Sequence, residues 1–132
     1  MAQQANNFIV IDDDPVNNRI CKIIIERISP DNVISCFADS QEAVDYLLRS
    51  FAKESGNTIM LLDINMPGLS GWDVLDHFEQ LEATVRDQIT VYILSSSVDA
   101  YDKKKADENR FVAGYIEKPL TMERVKQLLE PA

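Results

Sequence analysis

Apolar and polar positions along the chain fall into two alternating patterns. Short apolar runs of strand length occupy Phe8 to Ile11, Val33 to Phe37, Ile59 to Leu62, Ile89 to Leu94 and Phe111 to Ile116, the first and third of them unbroken. Between them, apolar residues recur at three- and four-residue spacing, which places them on one face of a helix. The first such stretch sets Val16, Ile20, Ile24 and Ile28 on one face with Ile23 beside them, and stops before Pro30. Asp14 is suited to cap it, because proline at position 15 needs no N–H partner in a first turn. A second helix starts at Ser40 and turns Ala43, Val44, Leu47, Leu48 and Phe51 inward. A third follows Gly71 with Val74, Leu75, Phe78 and Leu81, capped by Ser70. The stretch from Asp99 to Glu108 can be helical but has little apolar stripe beyond Val98, Tyr101 and Ala106, so it is expected to be the least firmly held. Thr121 opens a last helix with Met122, Val125, Leu128 and Leu129 on one side.

The unbroken run Ile59 to Leu62 predicts a strand covered on both faces. Five apolar strand runs interleaved with five helical patterns predict a three-layer α/β fold around a parallel sheet. Crossovers in such sheets are right-handed, and ligands collect at the carboxyl ends of the strands where the winding direction switches. The polar residues left without a local explanation all fall on that rim: Asp12 and Asp13 after the first strand, Asp63 after the third, Ser95 after the fourth and Lys118 after the fifth. The stretch from Thr58 to Gly71 is central, since Pro67, Gly68 and Gly71 forbid continuation of its strand and leave Asp63 at the edge of the core.

Composition narrows the chemistry. A chain of 132 residues, 45% hydrophobic and 27% charged, fits one domain spanning the whole chain with a core that needs neither disulfides nor structural metal. The net charge of -9 disfavours sequence-independent nucleic-acid binding and suits a cation or a partner with a basic patch. Cys21 and Cys36 have no metal-ligand spacing and read as buried reduced thiols, which fits a cytoplasmic address. His77 has no partner histidine and reads as a helix-face residue. The first seven residues are polar and no run approaches a membrane span, so neither export nor membrane insertion is expected.

Carboxylates converging on one crevice repel one another; a like-charge pair about 4 Å apart costs about 4 kcal/mol at an effective dielectric of about 20. Either one takes up a proton or a cation occupies the site. Carboxylate and carbonyl oxygens suit the hard Mg2+, which characteristically also holds a phosphate. Lys118 can then neutralise phosphoryl charge, Ser95 can donate to a phosphoryl oxygen, and Asp63 can act as the phosphate-accepting nucleophile.

Four fragments, Ile-Val-Ile-Asp-Asp-Asp-Pro, Leu-Leu-Asp-Ile-Asn-Met-Pro-Gly-Leu-Ser-Gly, Ile-Leu-Ser-Ser and Gly-Tyr-Ile-Glu-Lys-Pro, occur in an order and spacing that resemble the receiver domain of two-component response regulators. The likeness covers roughly residues 7 to 130. It implies a (βα)5 flavodoxin-like doubly wound parallel sheet with strand order 2-1-3-4-5. It further implies that Asp63 is the phosphoacceptor and that Asp12 and Asp13 form the acidic pocket. Mg2+ would be held by Asp13, Asp63 and the backbone carbonyl of Asn65, with Asp12 acting mainly through a metal-bound water. Ser95 and Tyr115 match the family's switch pair, and Lys118 matches its phosphate-binding lysine, with a cis bond to Pro119. Ser96 departs from a usual alanine and Leu69 from a common methionine. Asn65 and Ser97 stand where the family modulates dephosphorylation, and two small polar groups there suggest a short-lived phosphoryl state.

The resemblance implies that phosphorylation changes the surface formed by the helix from Asp99 to Glu108, the fifth strand and the last helix. The phosphoryl source would be a sensor histidine kinase or a histidine phosphotransfer protein, and, with no effector domain expected to follow, output would pass to another protein, either a downstream target or a histidine phosphotransfer protein in a relay. Three rivals are weaker. A pseudo-receiver would lack an acid, the acceptor or the lysine. A Mg2+-dependent aspartyl phosphatase would carry an aspartate where Asn65 stands. A flavin-phosphate carrier would not place three aspartates after its first strand.

Overall fold

The computed structural model describes residues 7–49, 56–96 and 100–130. Five strands, β1 (Asn7–Ile11), β2 (Val33–Phe37), β3 (Thr58–Leu62), β4 (Ile89–Ser95) and β5 (Val112–Glu117), form one parallel sheet in the order β2-β1-β3-β4-β5. The helices are α1 (Pro15–Ile28), α2 (Ser40–Arg49), α3 (Gly71–Glu79), α4 (Ala83–Arg86), α5 (Ala100–Glu108) and α6 (Met122–Leu129). The strand order and parallel pairing agree with the expected doubly wound sheet.

Alternation along each strand splits the core in two, because successive side chains point to opposite faces. Ile9, Ile11, Met60, Leu62, Val91 and Ile93 pack with α2, α3 and Ala106 of α5. Phe8, Val10, Ile59, Leu61, Leu94 and Ile116 pack with Cys21 and Ile25 of α1 and Val125 of α6. All five residues of β3 are buried, as expected for a central strand covered on both sides.

Local chemistry sets the helix starts. The Asp14 side chain accepts from Val16 N, Ser70 and Asp73 close a reciprocal capping box, and the Thr121 hydroxyl accepts from Arg124 N. At α2 the cap comes from Asp39 rather than Ser40: its Oδ1 accepts from Gln41 N at 2.8 Å.

Several expectations are corrected. The inward face of α1 is not the Val16–Ile20–Ile24–Ile28 line: Val16, Ile20 and Ile23 are exposed, Ile24 and Ile28 only partly buried, and the buried positions are Asn17, Asn18, Cys21 and Ile25. Polar anchors choose this face, since both asparagines hydrogen-bond to Asp12 and so turn Cys21 and Ile25, one and two turns further on, toward the sheet. Cys36 is exposed because β2 is an edge strand. Leu48 and Met122 are also exposed, not inward, and Phe51 lies outside the described residues, as do Val98 and Asp99. A sixth helix, α4, has no counterpart in the sequence pattern, because four residues are too few to show a period. It is tied in by Arg86, whose Nη1 donates to Glu79 O and Leu81 O at the end of α3, both at 2.8 Å.

Candidate functional site

The carboxyl ends of β1, β3, β4 and β5 converge on one rim. Asp63 follows β3 directly, and its N–H donates to Ile11 O at 2.9 Å, so the backbone carrying this acid is still bonded to the neighbouring strand. Asp12 is fixed likewise, its N–H donating to Phe37 O at 3.0 Å. Ser95 pairs with Glu117 in the sheet, and the next residue, Lys118, donates its N–H to Ser95 O at 2.9 Å. The bond from Lys118 to Pro119 is cis.

Burial sorts the acids. Asp12 is 1% and Asp63 5% exposed, whereas Asp13 lies exposed at the lip. One oxygen from each of Asp12, Asp13 and Asp63 lies within 4.8 Å of the others. Lys118 Nζ sits 2.5 Å from Asp12 Oδ2 and 3.6 Å from Asp63 Oδ2. Three carboxylates against one ammonium leave negative charge in excess, and an all-oxygen donor set of this kind fits a hard divalent cation such as Mg2+.

The charges shift one another. Burial pushes the Asp63 carboxyl above its ordinary range, as do the charges on Asp12 and Asp13, against the opposing pull of the Asn65 N–H and Lys118. For Lys118 burial acts downward, yet hydrogen bonding and attraction from Asp12 and Asp63 outweigh it and leave the ammonium above its ordinary value. The lysine thus stays charged beside two acids.

Asp12, Asp13, Asp63, Ser95 and Lys118 are therefore brought to one rim. Asn65 is exposed just beyond Asp63, and its N–H donates to Asp63 Oδ1 at 3.1 Å. Tyr115 is half-buried against the α2–α3–α5 side of the core, two residues before the end of β5. Ser97 lies outside the described residues.

Two supporting residues escape sequence reasoning, and a third reads there only as a strand breaker. Asn17 Nδ2 donates to Asp12 Oδ2 at 2.7 Å, and Asn18 Nδ2 donates to the Asp12 carbonyl at 2.9 Å. Together with Asp14 N, which donates to Asp12 Oδ1 at 2.9 Å, they hold the Asp12 carboxylate and its backbone in place. The signal that could have found them is a pair of asparagines interrupting an otherwise apolar helix just after the acids. The third is Gly71: a Cβ built there would lie 2.5 Å from Asp63 O and 2.7 Å from Ile64 Cα. The loop after Asp63 folds back onto the start of α3 so tightly that only glycine fits.

A groove of about 500 Å³ opens beside the acids, between Asp13, Asp39, Met66 and Leu69. Gly68 makes its turn with φ +76°, and Pro67 precedes it.

The family model of the response regulator receiver domain matches residues 8–130. A two-component response regulator from Cytophaga hutchinsonii is similar in structure, with a TM-score of 0.85 at 31% identity, covering 96% of this chain and 95% of that one. A response regulator receiver protein from Dyadobacter fermentans superposes with a TM-score of 0.84 at 28% identity, covering 93% and 94%. Among curated proteins, "Probable methanogenesis regulatory protein FilR2" of Methanothrix harundinacea is 28% identical over 124 residues, which is 93% of this chain and 78% of that protein.

Proposed function

The chain belongs to the response regulator receiver domain family of two-component systems, a signalling family rather than one of substrate-turnover enzymes, and from that premise we propose that it is a phosphoacceptor switch working through Asp63. The observation that carries the reading is the placement of Asp63: a carboxylate 5% exposed, with Lys118 Nζ 3.6 Å away and two further acids within reach of one cation.

A carboxylate oxygen of Asp63 attacks phosphorus in line, the bond from phosphorus to the donor's nitrogen or oxygen breaks, and the leaving group keeps the electron pair. Receiver domains bind Mg2+ at an acidic pocket, and here Asp12, Asp13, Asp63 and the carbonyl of Asn65 would hold it. When bound, the ion offsets charge on the phosphoryl oxygens. Lys118 supplies a second positive charge beside Asp63, held there by Asp12. Ser95 donates its hydroxyl to a phosphoryl oxygen, and Tyr115 moves inward behind it. Reversal by water, which breaks the bond between Asp63 and phosphorus and releases orthophosphate, resets the switch.

The donor is a phosphohistidine of a sensor kinase or phosphotransfer protein. It approaches over the open rim, where Val16 and Ile20 at the start of α1 are exposed beside the acids. Output leaves through α5, β5 and α6, where Tyr101 is 69% and Met122 47% exposed, apolar surface suited to a protein target. Nucleic acid is disfavoured by the charge of -9. Among the described residues no helix is long and apolar enough to cross a membrane, and a cytoplasmic site of action, beside the kinase's phosphohistidine, completes the reading. The whole chain acts as one domain.

Incubation with acetyl phosphate and Mg2+ tests this directly. Intact-mass measurement should find one labile phosphoryl group, absent without Mg2+ and absent in Asp63→Ala. Full labelling of Asp63→Ala would overturn the assignment.

A further inference from the structure

Little holds α5 to the rest of the molecule. Only Ala106 is buried along it, and its ion pair, Lys104 to Glu108 at 3.8 Å, stays within the helix. Yet Lys105 places its ammonium 4.9 Å from the ring centroid of Trp72 and 6.0 Å from that of Tyr101. Among the described residues no carboxylate pairs with Lys105. Trp72, the sole tryptophan of the chain, sits in the first turn of α3 and packs half-buried against the core. The contact therefore joins two helices with a particular relation to the site: α3 begins where the loop after Asp63 ends, and α5 is the next element after the strand that ends at Ser95.

We propose that Lys105 and Trp72 form a latch that holds α5 in its resting place, which makes both of them positioning residues for the phosphoryl switch. An ammonium within about 6 Å of an indole face is attracted by the negative face of the ring. On a helix with one buried residue, such a contact is a large share of what fixes its position. Coupling between two places in one molecule is reciprocal. If a phosphoryl group on Asp63 favours a displaced α5, then loosening α5 must favour the phosphorylated form at equilibrium. With the displaced arrangement as the one that reacts, the rate of incorporation scales with its population. The inference rests on the acceptor reading of Asp63. An exposed contact of this type corresponds to a shift of about two- to fivefold in the balance between the two arrangements.

The test follows phosphoryl incorporation from acetyl phosphate with Mg2+ by intact mass, in parallel with tryptophan emission, for the full chain and for Lys105→Ala and Lys105→Arg. Lys105 is exposed, so neither variant disturbs the core. Expected are an altered resting emission and a rate about two- to fivefold higher in Lys105→Ala, with Lys105→Arg restoring wild-type behaviour because it keeps the cation. Incorporation by Lys105→Ala at or below the wild-type rate overturns the latch alone, as does an Arg variant that behaves like Ala. If the wild-type chain itself acquires no phosphoryl group, the acceptor reading fails and the latch as a switch element falls with it.

Discussion

Lys118 reaches 2.5 Å to the Asp12 carboxylate, closer than its 3.6 Å approach to Asp63, so its nearer partner is not the acid proposed above as the acceptor. Asp12 is 1% exposed and its carboxylate also accepts from Asn17 Nδ2 and Asp14 N. This arrangement parks the ammonium beside Asp63 without neutralising Asp63 fully, as the proposed role of Asp63 as a nucleophile requires.

Removing that ammonium leaves a buried charge without its partner. Lys118→Met should lower folding stability by about 3 kcal/mol in the absence of Mg2+, the low end of the range for a broken buried pair, because two hydrogen bonds to Asp12 remain. Urea denaturation near neutral pH measures it, and a loss below about 1 kcal/mol would show that water already screens the pair.

Asp63 predicts the opposite sign. Its folded pKa is raised, first by burial and then by Asp12 and Asp13, so the folded chain holds this proton more tightly than the unfolded chain. Stability from this group is therefore fully present below the unfolded value and is lost as pH rises through the folded one. Asp63→Asn should melt at a higher temperature than wild type at neutral pH without metal, and the gap should close in acid. Equal melting temperatures at neutral pH would count against it.

Metal affinity should depend on Asp13 more than folding does. Asp13 is exposed at the lip, so Asp13→Asn should fold normally while weakening Mg2+ by at least about tenfold, since even outer-shell partners are worth about that much. Calorimetric titration reads the affinity; unchanged binding would remove Asp13 from the ligand set.

Gly71→Ala should disturb the site from a distance. Its methyl would meet the Asp63 carbonyl and Ile64 Cα, backbone atoms that can yield only by moving the loop. A cost of about 1–3 kcal/mol is expected together with slowed phosphorylation. An alanine variant with wild-type stability would mean the loop relaxes freely.

The two thiols should separate in a labelling experiment. Cys21 is buried and pushed to about 12, by burial first and by Asp12 next, whereas Cys36 is exposed on the sheet edge with a smaller upward shift. Iodoacetamide on the native chain should modify Cys36 slowly and Cys21 only after unfolding, as peptide mapping would show.

Period and punctuation make the strands legible in the sequence. Five mainly apolar runs bounded by aspartate, proline, glycine and serine are each too short to be helices, although only β3 is buried at every position while β2 and β5 stay partly open at the sheet edges. The rim residues Asp12, Asp13, Asp63, Ser95 and Lys118 follow, because a parallel sheet puts all its strand ends on one edge. What pattern misjudges is orientation. Isoleucine spacing marks one stripe on α1, but the helix turns to suit Asn17 and Asn18, because two hydrogen bonds to a buried acid outrank the exposure of Val16, Ile20 and Ile23 at the surface.

By itself, then, the sequence determined the succession of the strands and the longer helices and which polar residues follow each strand, since both depend on neighbours close along the chain. That Cys36 is bared on its edge strand, how closely Gly71 meets Asp63, and that Lys105 lies over Trp72 were decided only by tertiary structure. Those facts depend on how separate elements pack against one another, and their distances arise from packing that no local pattern records.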